Sequence, residues 1–101
     1  MKKRILLCTR LGVPAPELQA YVRTVFEKNG IPLGTQFYQR FITEYNEIKE
    51  VETSLLWLCD EVWVFGDALT ASMEDTMEKA RLLNLNVRRF KLPSSNWEDI
   101  E

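Results

Sequence analysis

Two polar segments, each directly after an apolar run, hold the residue types best suited to chemistry. Residues 4–9 form the first run, and Arg10 and Gly12 follow it. Residues 62–65 form the second run, and Asp67 follows it. Arginine can hold a carboxylate or a phosphate, whereas an aspartate at a strand end either holds a sugar hydroxyl or bonds its own loop. The chain has no G-x-G-x-x-G and no G-K-[ST], so neither a Rossmann dinucleotide site nor a P-loop is supported.

A helix start follows the second of these segments. Thr70 or Ser72 can cap it, and Ser72-x-x-Asp75 resembles a capping box with a shorter acid. Glu74, Asp75 and Glu78 then place carboxylates in the first two turns. A helix N-terminus normally favours an anion, but these carboxylates would repel a phosphate. The pattern therefore predicts a neutral ligand, such as a sugar or a nucleoside, or no ligand.

The composition excludes several classes of chemistry. The chain has no histidine, which removes Ser-His and Cys-His pairs and most zinc sites, so we expect neither a metal nor another cofactor. The net charge of -2 argues against general, charge-driven binding of nucleic acid. Cys8 and Cys59 lie in apolar runs outside any C-x-x-C pair, which is typical of small buried residues in a reducing compartment.

Length and hydropathy set expectations for organisation and location. With 101 residues and 46% hydrophobic content, we expect one packed domain over 1–101, with residues 93–101 as a C-terminal tail. No stretch approaches 18 apolar residues and no signal peptide is visible, so we expect no membrane contact and a cytoplasmic protein.

The apolar pattern alternates between strand-like runs and helical stripes. It predicts strands near 4–9, 31–33, 62–65 and 87–92, and helices near 16–29, 44–58 and 72–83. Asn29-Gly30 should end the first helix in a left-handed conformation. A β-α-β-α-β-α-β order implies a parallel sheet with helices on both faces. We expect a flavodoxin-like or Rossmann-like three-layer α/β sandwich of about four strands in the order 2-1-3-4, in which both polar segments flank one crevice.

The tryptophans and the last strand carry further expectations. Trp57 and Trp63 are predicted to lie in the core, whereas Trp97 lies in a polar tail and needs its own domain or another subunit to pack on. The latter alternative would make the protein a homodimer or a higher homo-oligomer. The basic residues of the strand near 87–92 predict that it lies at the sheet edge.

The run C-D-E-V-W-V-F-G over residues 59–66, followed by Thr70-Ala71-Ser72-Met73, resembles a known pattern. It is similar to C-D-E-x-W-V-F-G and S-x-G-M-x-x-E in small uncharacterised bacterial and phage proteins related to nucleoside 2-deoxyribosyltransferases. The resemblance covers roughly residues 4–91. It implies a nucleoside or nucleotide site, which in this sequence would comprise Thr9, Arg10, Gly12, Asp67, Thr70, Ser72 and Met73.

The departures from that pattern fall on the chemically important positions. The glutamate that would be the covalent nucleophile falls on Thr76, and a threonine without a nearby base cannot replace a carboxylate at an anomeric carbon. The strand-1 Tyr-Ser becomes Cys8-Thr9, and a later Pro-His becomes Thr35-Gln36. We therefore expect the fold to be kept and the transferase chemistry to be lost, with Glu74 and Glu78 as the remaining catalytic candidates.

Three functions stay open at this point. The first is a non-catalytic relative that binds a nucleoside or nucleotide in the crevice. The second is an active transferase or N-glycoside hydrolase whose carboxylate has moved to Glu74 or Glu78. The third is a protein-interaction module of a phage or mobile element, oligomeric and without a small-molecule ligand.

Overall fold

The computed structural model describes residues 2–39 and 41–91 and the backbone of 98–99. Four strands form a parallel sheet in the order β2-β1-β3-β4, which confirms the predicted topology. A two-residue strand, β5, adds antiparallel to β4. The strands are β1 (Lys3–Cys8), β2 (Gly30–Leu33), β3 (Glu61–Phe65), β4 (Asn86–Lys91) and β5 (Glu98–Asp99). The helices are α1 (Ala15–Glu27), α2 (Tyr45–Leu58) and α3 (Ala71–Leu82).

The two faces of the sheet bury separate apolar layers. Successive residues of a strand point to opposite faces, and β1 accordingly sends Ile5 and Leu7 into a layer with α1. It sends Leu6 and Cys8 into the layer with α2 and α3. All five residues of β3 are buried, as expected for a central strand that is covered on both faces. The described chain therefore has the predicted three layers.

Two neighbouring residues shape the turn from α1 into β2, Asn29 through its backbone conformation and Gly30 through its lack of a side chain. Asn29 takes the left-handed conformation that ends the helix, with φ of 64°. Gly30 has no positive φ but is needed for space. A Cβ there would lie 2.8 Å from Ile5 Cγ1 and 2.9 Å from Val25 Cγ1. The lack of a side chain at Gly30 therefore lets β2 start directly against the α1 layer.

Two expectations need correction. Trp57 is 71% exposed rather than in the core, because Leu55 and Leu56 are the α2 residues that face the sheet and the next position turns away. Trp63 is 3% exposed, as predicted. The strand β4 lies at the edge only in part, since β5 pairs with Phe90 and Lys91.

Trp97 lies outside the described residues, so the structure does not test its packing. Among the described residues, no helix is both long and apolar enough to span a bilayer.

Candidate functional site

A crevice of about 420 Å³ opens at the carboxyl ends of β1 and β3, where the two polar segments were predicted to meet. Parallel α/β sheets commonly bind ligands at this point, because neighbouring crossovers leave the sheet in opposite directions. Four residues singled out in the sequence line it, namely Arg10, Asp67, Thr70 and Met73. Five that sequence reasoning did not assign to the site also line it, namely Glu17, Tyr21, Phe65, Gly66 and Ala68.

The other predicted ligand-binding residues are placed elsewhere. Thr9 accepts a hydrogen bond from Gln36 Nε2 at 2.7 Å, and Gly12 takes a positive φ of 71° within the loop. The hydroxyl of Ser72 accepts from Lys49 Nζ at 3.5 Å, toward α2. None of the three is among the residues that line the crevice.

The catalytic candidates Glu74 and Glu78 also lie away from the crevice. They line a different groove on α3, together with Arg81 and Arg89. The rotation of the helix separates them from Met73, which faces the crevice. The structure therefore brings neither glutamate to the crevice.

One wall of the crevice is an ion-paired network between the first loop and α1. Arg10 contacts Glu17 through two bonds, Nη1 to Oε2 at 2.6 Å and Nη2 to Oε1 at 2.8 Å. Tyr21 Oη also donates to Glu17. The bond from Arg10 holds the pKa of the Glu17 carboxyl below its usual range, even though burial opposes this. Glu17 is therefore ionised, and its carboxylate accepts hydrogen bonds from both terminal nitrogens of the Arg10 guanidinium.

Tyr21 is one of the buried residues of α1, and its hydroxyl also reaches this network. Its ring stacks on Phe65 with centroids 4.7 Å apart and an interplanar angle of 19°. Burial is the largest cause that raises the pKa of the Tyr21 phenol, followed by its bond to Glu17. The phenol thus stays protonated at neutral pH. The stacked rings of Tyr21 and Phe65 give the crevice an apolar, aromatic floor.

The opposite rim carries a carboxylate that the fold leaves available. Gly66 turns the chain out of β3 with φ of 133°, a conformation that favours glycine, and Asp67 follows it on the surface. Within the described part of the chain, the Asp67 side chain makes no hydrogen bond or ion pair. Thr70 caps α3 by accepting from the Met73 N–H at 3.2 Å, so its hydroxyl proton can still be donated.

A second group of polar side chains, the α2–α3 cluster, lies between these two helices and comprises Lys49, Glu52, Asp75 and Thr76. Thr76 is 1% exposed and donates to Glu52 Oε1 at 2.7 Å. Lys49 Nζ lies 2.8 Å from the same oxygen and 3.3 Å from Asp75 Oδ2. Burial opposes the charge of Lys49, but the bond to Glu52 and the other acidic contacts raise its pKa above the usual value. The charged side chains of the cluster are therefore paired with one another.

Sequence reasoning missed Glu52, since 24 residues separate it from Thr76 and the only local signal is the Lys49–Glu52 spacing of three. No residue of the cluster lines the crevice. Nearby, Cys8 is free, and burial raises the pKa of its thiol to about 12. Neither the buried hydroxyl nor the protonated thiol is a nucleophile at neutral pH.

Among the described residues, no group of three or more cysteine, aspartate or glutamate side chains could hold a metal ion. The crevice itself combines hydrogen-bonding side chains at its rim with an apolar floor.

Comparison with known proteins places the chain in a family without assigning a function to it. No curated protein sequence matches it. A family model described as a domain of unknown function matches residues 15–90, which is more than half of the chain. The matched span includes Glu17, Tyr21 and Asp67, whereas β1 and Arg10 precede it. The chain therefore belongs to the DUF7768 family, a domain of unknown function.

Proposed function

We propose that the crevice binds a neutral, nucleoside-like molecule and that the protein does not catalyse its breakdown or transfer. The observation that carries this proposal is the Asp67 carboxylate, which faces a crevice with an aromatic floor and has no partner in the described chain. Such a carboxylate can accept from two sugar hydroxyls, while the apolar floor favours a planar ring. The resemblance to deoxyribosyltransferase relatives supports the same ligand class.

The charges in the crevice favour a nucleoside over a nucleotide. Arg10 contributes one positive charge, and Glu17 and Asp67 contribute one negative charge each. Glu17 already accepts hydrogen bonds from both terminal nitrogens of the guanidinium. A phosphate would therefore meet an unpaired carboxylate and no available cation, and it would bind less well than the uncharged sugar.

The α2–α3 cluster supports a binding role rather than a catalytic one. Attack on an anomeric carbon needs a free carboxylate next to the ligand. By the resemblance, Thr76 stands where the transferases have their nucleophile. The carboxylate bonded to it, Glu52, is held by Thr76 and Lys49 outside the crevice. Glu74 and Glu78 lie in a separate groove.

The first experiment is thermal unfolding of the protein with nucleosides, deoxynucleosides and the matching nucleotides. A ligand at about 100 times its Kd adds about 2.7 kcal/mol, which is several degrees in Tm for a domain of this size. We expect a nucleoside to raise Tm more than its phosphate does. Asp67→Asn should remove the shift, and Glu78→Gln, which makes the same charge change in another groove, should retain it.

A flat panel, or a nucleoside shift that survives Asp67→Asn, would contradict binding at this crevice. Incubation with deoxynucleosides tests the other half of the proposal. We expect no release of free base, and release that Glu52→Gln abolishes would mean that the α2–α3 cluster is catalytic after all.

A second candidate is the protein-interaction module of a phage or mobile element, acting as a homodimer or higher homo-oligomer. It is favoured by large apolar side chains left on the surface around and along α2. Phe41 is 83% exposed, Trp57 71% and Tyr45 50%. Surfaces of this kind often mark contacts between proteins. A flat ligand panel together with an oligomer in sedimentation that Phe41→Ser dissociates would favour this function.

A further inference from the structure

The groove that holds Glu74 and Glu78, named here the α3–β4 groove, lies between helix α3 and strand β4. It has a volume of about 470 Å³, and its lining residues are Leu69, Glu74, Met77, Glu78, Arg81 and Arg89. Alternate residues of β4 point toward α3, since Val87 packs in the layer of α2 and α3 and Phe90 in the layer of α1. Arg89 therefore enters the groove from the sheet, whereas both glutamates enter it from α3.

Arg89 differs from the rest of the lining because it is a half-buried cation without a partner. Within the described chain its side chain makes no ion pair, and its Nε is sealed from solvent with no acceptor for its hydrogen. A buried N–H that lacks an acceptor destabilises the protein, and an acceptor supplied by a ligand would remove that cost. The Nε and one Nη of a guanidinium together form a fork that fits a carboxylate. The orphan donor therefore marks a carboxylate position in the groove.

The α3 wall of the groove supplies charges of both signs. Glu74, Glu78 and Arg81 follow one another at intervals of four and three residues, so they share one face of the helix. None of these three forms an ion pair with another described residue. Together with Arg89, the lining carries two positive and two negative charges. A simple anion or cation would meet a charge of its own sign there, whereas a ligand that carries both charges can face a partner at each end.

The floor between the charged walls is apolar. Met77 is 5% exposed and belongs to the core layer of α2 and α3, and Leu69 packs partly buried against the same layer. An aliphatic group laid on these two side chains would leave water, which favours binding. The groove thus offers a carboxylate position, acceptors for an ammonium group and an apolar surface side by side.

We infer that the α3–β4 groove binds a free α-amino acid with an aliphatic side chain. The carboxylate of the ligand accepts from Nε and Nη of Arg89, its ammonium donates to a glutamate of α3, and its side chain packs on Met77. An α-amino acid carries both charged groups on one carbon, so a single small molecule satisfies both walls. This inference does not depend on the proposed function, because no residue lines both the groove and the crevice among the described residues.

The test is a titration with L-leucine, followed through the methionine methyl resonances in two-dimensional NMR. Met77 lines the groove and Met73 lines the crevice, so the two methyl groups report on different sites. We expect the Met77 resonance, assigned with Met77→Leu, to move until the groove is saturated and the Met73 resonance to move much less. Isocaproate lacks the ammonium of leucine and isopentylamine lacks its carboxylate. Each should bind about tenfold more weakly than leucine.

The substitution Arg89→Lys tests the carboxylate position. It keeps the positive charge but removes the fork, so it should weaken leucine binding about tenfold. Arg23→Lys, the same change at an exposed position of α1, should leave leucine binding unchanged. Urea unfolding of both variants checks that each is folded under the conditions of the titration.

The two glutamates are replaced together, because either one can accept from the ammonium. Glu74→Gln combined with Glu78→Gln should weaken leucine binding about fivefold, and Glu47→Gln combined with Glu50→Gln on α2 should not. A Met77 resonance that does not move, or that moves less than the Met73 resonance, overturns the inference. Isocaproate that binds as tightly as leucine also overturns it, since the groove would then be a plain carboxylate site. Equal weakening by the two double variants does the same.

Discussion

The α2–α3 cluster gives the sharpest test of how buried polar side chains stabilise this fold. In Thr76→Val the side-chain volume stays nearly constant and only the buried hydroxyl is lost. Glu52 Oε1 then keeps Lys49 at 2.8 Å but loses the donor at 2.7 Å. Because the Glu52 side chain is only 15% exposed, water replaces that donor poorly.

The expected loss in the free energy of unfolding follows from the kind of hydrogen bond that Thr76→Val removes. A hydrogen bond to a charged group contributes about 1.5–3 kcal/mol, and the valine methyl gains some apolar burial in return. We expect the free energy of unfolding to fall by about 1.5 kcal/mol, and Tm by about 6–12 °C for a chain of this length. Urea denaturation measures the first quantity and calorimetry the second.

Thr53→Val is the matched control. Thr53 is exposed on the same helix as Glu52, and its hydroxyl donates only to the Lys49 carbonyl of its own helix at 3.0 Å. We expect a change within about 0.5 kcal/mol. A double-mutant cycle between Thr76→Val and Glu52→Gln should give a coupling of about 1 kcal/mol. If Thr76→Val were no more costly than Thr53→Val, the hydroxyl would not hold the cluster and the argument would fail.

Two further predictions concern the α1–β2 turn and the acid limit of stability. Gly30→Ala should cost about 1–3 kcal/mol in urea unfolding, because the new Cβ would lie 2.8 Å from Ile5 Cγ1; an unchanged midpoint would mean that β2 shifts freely. Burial would raise the pKa of the Glu61 carboxyl, but its bonds to Lys3 and Trp63 lower that pKa below the usual value of 4.5. The ionised carboxylate therefore stabilises the fold above pH 4.5, and this contribution is lost as pH falls through the folded-state pKa. Glu61→Gln should therefore flatten the fall in stability below pH 4.5, and a fall as steep as that of the unmodified protein would contradict the assignment.

Much of the fold could be predicted from the sequence because its signals are local. The apolar run of β3 needs no partner to be recognised, and the alternation of strands and helices limits the topology to a few right-handed crossovers. The sequence predicted Thr70 or Ser72 as the N-cap of α3, and Thr70 caps it by accepting from the Met73 N–H. The i,i+4 ion pair between Asp75 and Lys79, at 3.1 Å, is equally local, because a helix places those two side chains together whatever surrounds it.

The site could be predicted only where it follows from strand ends. Arg10 and Asp67 meet at one crevice because parallel strands β1 and β3 are neighbours. The sequence does not predict how each helix is rotated about its axis, because small changes in packing decide which side chains face inward. That rotation turns Trp57 to solvent and places Glu74 in another groove.

The sequence by itself thus determined the order of the elements, the parallel sheet and the two loops that meet at its carboxyl end, since periodicity and capping act over a few residues. Only the tertiary structure decided that Glu17 pairs with Arg10 and that Glu52 accepts a hydrogen bond from Thr76. The contact between Glu52 and Thr76 joins residues that lie far apart in the chain. Their geometry is set by how helices pack on the sheet, a long-range property that no local pattern encodes.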